Sequence, residues 1–201
     1  MNLNNISKYI SLILRHKPET INIKLDKHGY AEVSELVKGI KKKYPEFTAS
    51  DLDVIVETDD KQGYKYSTDG TKIRASQGHS IPVDLELVEQ EPPQLLYHGT
   101  SNKYFDSIHE QGLLPQNRQY VHLSNNTWTA YKVGQRHGGK LVIYVVNAQL
   151  MYKHGYKFYQ SENGVWLTDH VPSKYIEPHY IANLEDLNSL NSICSSIFRN
   201  S

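Results

Sequence analysis

Gln94-Leu95-Leu96-Tyr97-His98-Gly99-Thr100, directly after Pro92-Pro93, is the stretch from which the rest of the chain is read. Leu95, Leu96 and Tyr97 predict a short buried strand, and residues 101–108 predict a helix start. On that reading His98 and Gly99 lie on the tight turn from strand to helix. There Gly99 would let a ligand approach backbone N–H groups, and Thr100 would offer a hydroxyl and a helix cap. By itself the His-Gly-Thr tripeptide reads equally well as a glycine turn beside a solvated histidine. Its meaning depends on the stretches around it.

Downstream, Tyr120-Val121-His122-Leu123-Ser124 alternates as a strand does, with Val121 and Leu123 on one face and His122 and Ser124 on the other. Residues 127–136 predict a helix that runs into Gly134-Gln135-Arg136-His137-Gly138. The apolar run 141–146 predicts a central strand buried on both faces. Shorter strands are expected at 158–160, 165–167 and 175–181. A closing amphipathic helix carries Leu184, Leu187, Leu190, Ile193, Cys194 and Ile197, where Cys194 reads as a small buried apolar group.

Upstream, Ile6, Tyr9, Ile10, Ile13 and Leu14 repeat at helical spacing until Pro18 stops the helix. Arg15 and His16 fall on its last turn. They suit the helix macrodipole there, and they would equally form a fork and a second donor for a phosphate. A second helix is expected over 32–43, and a third at Leu52, Ile55 and Val56 behind a capping box of Ser50 and Asp53. Two β-like runs joined at Asp69-Gly70 predict a hairpin. Three short helices followed by a hairpin is the order of a winged-helix lobe. Gln77-Gly78-His79-Ser80 then forms a loop that could hold an anion or be an ordinary polar turn. The acidic, proline-ended residues 83–93 read as a connection between lobes.

Composition narrows the function classes. With 201 residues the chain suits one large domain or two small lobes. Its 22 basic and 22 acidic side chains balance, so phosphate binding must come from a few placed cations and not from bulk charge. One cysteine excludes an intrachain disulfide and a multi-cysteine zinc site. No signal-peptide core is present, and no run approaches the ~20 apolar residues that span a bilayer. A soluble, cytoplasmic protein is expected.

Several stretches now stand in a fixed order: Ser7-Lys8 with Leu14-Arg15-His16, Asp60-Lys61-Gln62, the run from Ile73 to Ser80, Tyr97-His98-Gly99-Thr100, Val121-His122-Leu123-Ser124, Val133-Gly134-Gln135-Arg136, and Asn163-Gly164-Val165-Trp166-Leu167. Together they resemble the RNA 2′-phosphotransferase family of KptA-type tRNA-splicing enzymes, over residues 7–181. The resemblance implies an α+β protein. A winged-helix RNA lobe (residues 1–90) would join an ADP-ribosyltransferase-like mixed β lobe (residues 91–201) that binds NAD and carries the C-terminal helix. It implies removal of an internal 2′-phosphate from RNA, as at a tRNA splice junction, with NAD as co-substrate and no metal. The RNA phosphate attacks the anomeric carbon of the nicotinamide riboside and expels nicotinamide. The ribose 2″-hydroxyl then attacks that phosphate, leaving 2′-hydroxyl RNA and ADP-ribose 1″,2″-cyclic phosphate.

Carried over residue by residue, Arg15, His16 and Arg136 would be catalytic, and Lys61, His79 and Ser80 would bind the RNA. His98, Gly99, Thr100, His122, Ser124, Gly134 and Val165 would bind NAD. Val165 falls where other ADP-ribosyltransferases carry a glutamate, which a nucleophile already charged does not need. One position departs from the family pattern Asp-Lys-x-Arg-Phe. Here the segment is Asp60-Lys61-Gln62-Gly63-Tyr64, so glycine stands in place of an active-site arginine. Lys61, Lys65 and Arg74 are the cations the sequence offers in its stead. Two other readings follow: a transferase that only ADP-ribosylates a nucleic-acid phosphate, and a non-catalytic RNA-binding relative.

Overall fold

In the computed structural model, which describes residues 2–198, helix α1 (Leu3–Arg15) buries Ile6, Ile10, Ile13 and Leu14 completely along one side. The Asn2 side chain caps its start by accepting from Asn5 N–H at 3.2 Å, and a 3-10 turn that begins at Pro18 follows its end. Strand β1 (Ala31–Glu32), helix α2 (Val33–Lys41) and helix α3 (Ala49–Glu57) come next. The hairpin of β2 (Tyr64–Tyr66) and β3 (Lys72–Ala75) turns at Gly70, whose φ of +71° a side chain would resist. β1 pairs with the far edge of β3, giving an antiparallel sheet of order β1-β3-β2. Leu36, Ile40, Phe47, Leu52 and Ile73 close the core against α1.

The capping box of α3 lies two residues upstream of the expected one. Thr48, in an extended conformation, accepts from Asp51 N–H, and the Asp51 carboxylate accepts from Thr48 N–H at 2.8 Å. Ser50 is already inside the helix and cannot cap it, while Asp53 accepts from the Tyr66 hydroxyl at 2.7 Å.

Of the described residues, those up to Leu87 form a first compact unit together with Asn117–Gln119 and Ser161–Asn163, and the rest form a second. The second unit runs β4 (Leu95–Ser101), α4 (Phe105–Gln111), β5 (Val121–Leu123), α5 (Thr127–Gly134), β6 (Leu141–Asn147), α6 (Ala148–Lys153), β7 (Tyr159–Gln160), β8 (Trp166–Thr168), β9 (Ile176–Ile181) and α7 (Leu184–Ile193). Two antiparallel sheets result, β4-β6-β9 and β5-β8-β7. The apolar run 141–146 is the buried central strand of the first, paired on both sides. Helix α6 had no counterpart in the sequence reading; Asn147 caps it through Leu150 N–H at 3.2 Å.

The opening stretch is not strand, turn and helix. β4 continues through His98, Gly99 and Thr100 to Ser101, with His98 opposite Tyr144 and Gly99 opposite Ile143 on β6. Chain reversal comes later, in a 3-10 turn at Asn102–Tyr104 capped by Ser101. Gly99 is demanded by packing. A Cβ there would stand 1.8 Å from the Ala130 carbonyl oxygen, so its absence lets α5 lie directly on β4. Gly134 serves the same contact from the helix side, since its Cβ would meet Leu141 Cδ1 at 2.1 Å. The architecture is mixed α+β. No helix among the described residues is long and apolar enough to cross a membrane.

Candidate functional site

In the first unit the end of α1 and the loop after β3 meet. Ser80 N–H donates to the Arg15 carbonyl at 3.0 Å, and His16 Nδ1 lies 2.9 Å from Ser80 Oγ. Arg15, His16, His79 and Ser80 are thereby brought together although more than sixty positions separate them. The Arg15 guanidinium donates from Nη2 to the Gly63 carbonyl at 3.4 Å, while its buried Nε has no hydrogen-bond partner. His79 is 1% exposed, and neither of its ring nitrogens has a partner. Buried polar atoms are ordinarily satisfied, so the two unmet ring nitrogens of His79 are an exception inside this cluster.

Electrostatics separate the roles of these groups. Burial pushes the His79 pKa down to about 4, and Arg15, His16 and Arg74 push the same way. His16 is lowered by burial first, then by Arg15 and Arg118. Arg15 is pulled down by burial and by Arg118, while Tyr64 and Asp59 oppose. Near neutral pH both histidines are therefore uncharged hydrogen-bonding groups and the arginines carry the charge.

The segment around Gly63 is tightly tied. Gly63 N–H donates to Asp59 Oδ2 at 2.7 Å, and the Tyr64 hydroxyl donates to the Ser7 carbonyl at 2.7 Å. Lys61 accepts at its backbone carbonyl from Asn163 Nδ2 at 2.9 Å and lines, with Ser7, Asp59 and Asp60, a cleft of about 250 Å³. Lys65 and Arg74 both have an acidic partner. Both are engaged by Glu162, at 2.5 and 3.4 Å, and Arg74 is 6% exposed and stacked over Tyr30.

Arg118 was missed by the sequence reading. It sits on the loop between α4 and β5, where no periodicity or motif singles it out. Gln119 places it: its N–H donates to the His79 carbonyl at 3.2 Å and its side chain to the Val83 carbonyl at 2.9 Å.

In the second unit the two sheets join where Tyr97 and Ser124 exchange backbone hydrogen bonds of 2.8 and 2.9 Å. One residue on, strand pairing gives way to a side chain, and His98 Nδ1 lies 3.0 Å from the His122 carbonyl. His122 Nδ1 in turn lies 2.9 Å from the Tyr120 carbonyl. Backbone groups alternate along an antiparallel ladder, so the Gly99 peptide faces the same side as that of Tyr97, away from β6. An edge of strand backbone with two oriented imidazoles beside it can hold an amide and a ribose. That is a fit for the nicotinamide riboside end of NAD.

Thr100 is 4% exposed and lies one residue along on the same strand. Gly134 is a packing residue of α5, and Val165 immediately precedes β8. Arg136 is exposed on the 3-10 turn Gln135–His137 that continues α5. From Gln111 to Ser161 the chain carries no Asp or Glu, so the elements around Arg136 present no carboxylate of their own sequence to an anionic ligand. Among the described residues no group of three or more His, Cys, Asp or Glu is placed to hold a metal ion.

Comparison with known proteins places the chain in a family. Residues 2–170 match the model of the family described as RNA 2′-phosphotransferase, Tpt1 / KptA family. A protein of Flavobacterium johnsoniae named as a probable RNA 2′-phosphotransferase is 53% identical over 173 residues, 86% of this chain and 94% of its own. Like-named proteins of Fusobacterium nucleatum and Acaryochloris marina are 52% and 49% identical, again over 86% of this chain and over 96% and 95% of theirs. With the family model covering most of the sequence and half the residues shared with such relatives, this chain belongs to the RNA 2′-phosphotransferase, Tpt1 / KptA family.

Proposed function

We propose that the protein is an NAD-dependent RNA 2′-phosphotransferase that removes an internal 2′-phosphate from RNA, such as a tRNA splice junction. The observation that carries the reading is the cluster of Arg15, His16, His79 and Ser80 in the first unit. It offers one fixed charge and several neutral donors to a phosphate oxygen. In this reading α1, α2, α3 and the β2–β3 hairpin are a winged-helix RNA lobe, and the second unit is an ADP-ribosyltransferase-like lobe.

NAD, as co-substrate, supplies the electrophilic ribose carbon and the nicotinamide leaving group. The chain's residues do the rest by orientation and charge balance. Arg15 presents its planar fork to the 2′-phosphate while His16, fixed by Ser80, gives a further hydrogen bond. His79 adds a donor without adding charge, because burial keeps it neutral. His98 and His122 orient the ribose, the Gly99 peptide faces the amide, and Arg136 balances negative charge at the reacting phosphate. Val165 supplies no carboxylate, in keeping with a nucleophile that is already an anion. Lys61 contacts the RNA backbone beside the cluster.

Gly63 favours a second reading, in which the protein attaches ADP-ribose to an RNA phosphate and resolves the adduct slowly or not at all. One assay separates the two. The purified protein is incubated with NAD and a 2′-phosphorylated oligonucleotide, and RNA and nucleotide products are followed in time. Formation of 2′-hydroxyl RNA with nicotinamide and ADP-ribose 1″,2″-cyclic phosphate is expected. A persistent ADP-ribosylated RNA would establish the second reading, and no NAD-dependent change in the RNA would sink both.

A further inference from the structure

Resting on the proposed function, we infer that α5 carries a stacking platform for an unpaired base of the RNA, built from Trp128 with Tyr131 and Lys132. The starting point is an exposed indole. Trp128 is 47% exposed, whereas the protein's other tryptophan, Trp166, is buried in β8. The indole lies almost parallel to the Tyr131 ring, at 13° and 5.5 Å between centroids, and Lys132 Nζ stands 5.1 Å from the indole centroid.

Packing does not ask for this side chain. Helix α5 turns Thr127, Ala130 and Gly134 inward, and Ala130 and Gly134 make the close contact with β4. Trp128 belongs to none of the buried clusters, while Tyr131 packs only against the edge of the one that α7 closes. The indole is not the centre of an apolar patch of the kind that protein interfaces bury. Its exposed sequence neighbours Asn125, Asn126, Thr129, Lys132 and Gln135 are all polar.

Charge identifies the occupant. Lys132 and Arg136 follow Trp128 at intervals of four, the spacing that keeps residues on one helix face. Neither has an ion pair among the described residues. Between Gln111 and Ser161 the chain has no Asp or Glu. The neighbouring helix α7 meets α5 where Thr127 donates to Asn191, and no acid follows Asp186 in the sequence. Aromatic faces beside unopposed cations fit a polyanion whose units are themselves flat rings. A single strand of RNA offers both, whereas a duplex hides its base faces. The same stripe leads to Arg136, which the proposed function sets at the reacting phosphate. Eight residues of helix separate the two, about 12 Å, so the stacked base belongs to a neighbour of the phosphorylated nucleotide.

The test titrates the full chain, without NAD, with a single-stranded oligonucleotide that carries one internal 2′-phosphate. Tryptophan emission should be quenched in wild type, and the quench should vanish in Trp128→Phe while affinity stays nearly unchanged. Trp128→Leu keeps an apolar side chain but no aromatic face. It should bind roughly tenfold more weakly, with the melting temperature of wild type. Lys132→Gln should flatten the dependence of log K on log salt by about 0.7. Abasic nucleotides placed singly along the strand should abolish the quench only beside the 2′-phosphate. Unaltered affinity of Trp128→Leu would overturn the inference, as would equal quenching by the same strand in a duplex. Quenching of Trp128 by NAD alone would also overturn it, making the indole a platform for the adenine of the co-substrate. Failure of the proposed function reads out elsewhere, as a wild type that yields no NAD-dependent change in the RNA.

Discussion

His79 shows how a single residue couples site chemistry to stability. Its folded pKa of about 4 lies below the ordinary value of 6.5 for histidine, so between those two the unfolded chain takes up a proton that the folded state refuses. Stability from this group is therefore complete above about pH 7 and declines as the pH falls toward about 4, by at most about 1.4 kcal/mol per pH unit. Urea melts at about pH 5 and about pH 7.5 should show that loss in wild type and a smaller one in His79→Asn. His16 and His179 are lowered in the same sense and would leave the variant with a residual slope. An identical pH dependence in both proteins would mean that His79 takes up its proton without penalty. Arg136 makes the opposite case, because it is exposed and its removal should not touch the fold. Arg136→Ala should lower the single-turnover rate about a hundredfold or more with no change in melting temperature. A near-normal rate with a lowered midpoint would assign it a structural role.

Among the elements, α5 connects packing to the site most directly. It lies on β4 because Gly99 and Gly134 have no side chains, and it ends where Arg136 begins. Gly99→Ala would force backbone apart, since the clash is with the Ala130 carbonyl and not with a side-chain end that could turn away. A loss of roughly 2–4 kcal/mol is expected by chemical denaturation, larger than the usual cost of an added methyl. NAD affinity should fall with it, because the strand edge next to His98 and the helix leading to Arg136 both move. Retention of full stability would show that α5 slides without cost and that the glycine serves a ligand instead. The conformation of residues 94–100 depends on the same packing. Leu95, Leu96 and Tyr97 were readable as strand from their own apolarity, but the continuation through His98, Gly99 and Thr100 was not. Those residues are strand because β6 pairs with them and α5 covers them, and neither partner is local in sequence.

At the level of the whole molecule, α7 lies beyond the family match, which ends at residue 170, yet it is part of the second unit's core. Leu187, Leu190, Cys194 and Ile197 cover Tyr97, Ala130, Ile143 and Val145, and Thr127 donates a hydrogen bond to Asn191. A chain ended after Asn183 should melt roughly 10 °C or more below the full chain, since several buried apolar side chains each contribute about 1.5–3 kcal/mol. It should also bind an apolar dye, and an unchanged melt would make α7 an ornament. The amphipathic spacing of α1 and α7, the hairpin at Asp69-Gly70 and the continuous apolarity of β6 were all legible in the sequence, because each is set by local periodicity or turn chemistry. So were the ordered motifs that point to the family, since they are runs of residue types. The cluster at the end of α1 was legible only in its members. That Arg15, His16, His79 and Ser80 meet is decided by two hydrogen bonds across more than sixty residues. Lys65 and Arg74 read as available cations until Glu162, some ninety positions away, proved to hold them both. Arg118 had no signal at all. Charge on a side chain is a property of sequence, but whether that charge is paired, buried or free depends on which distant groups the fold brings within a few ångströms, and the tertiary structure alone decides it.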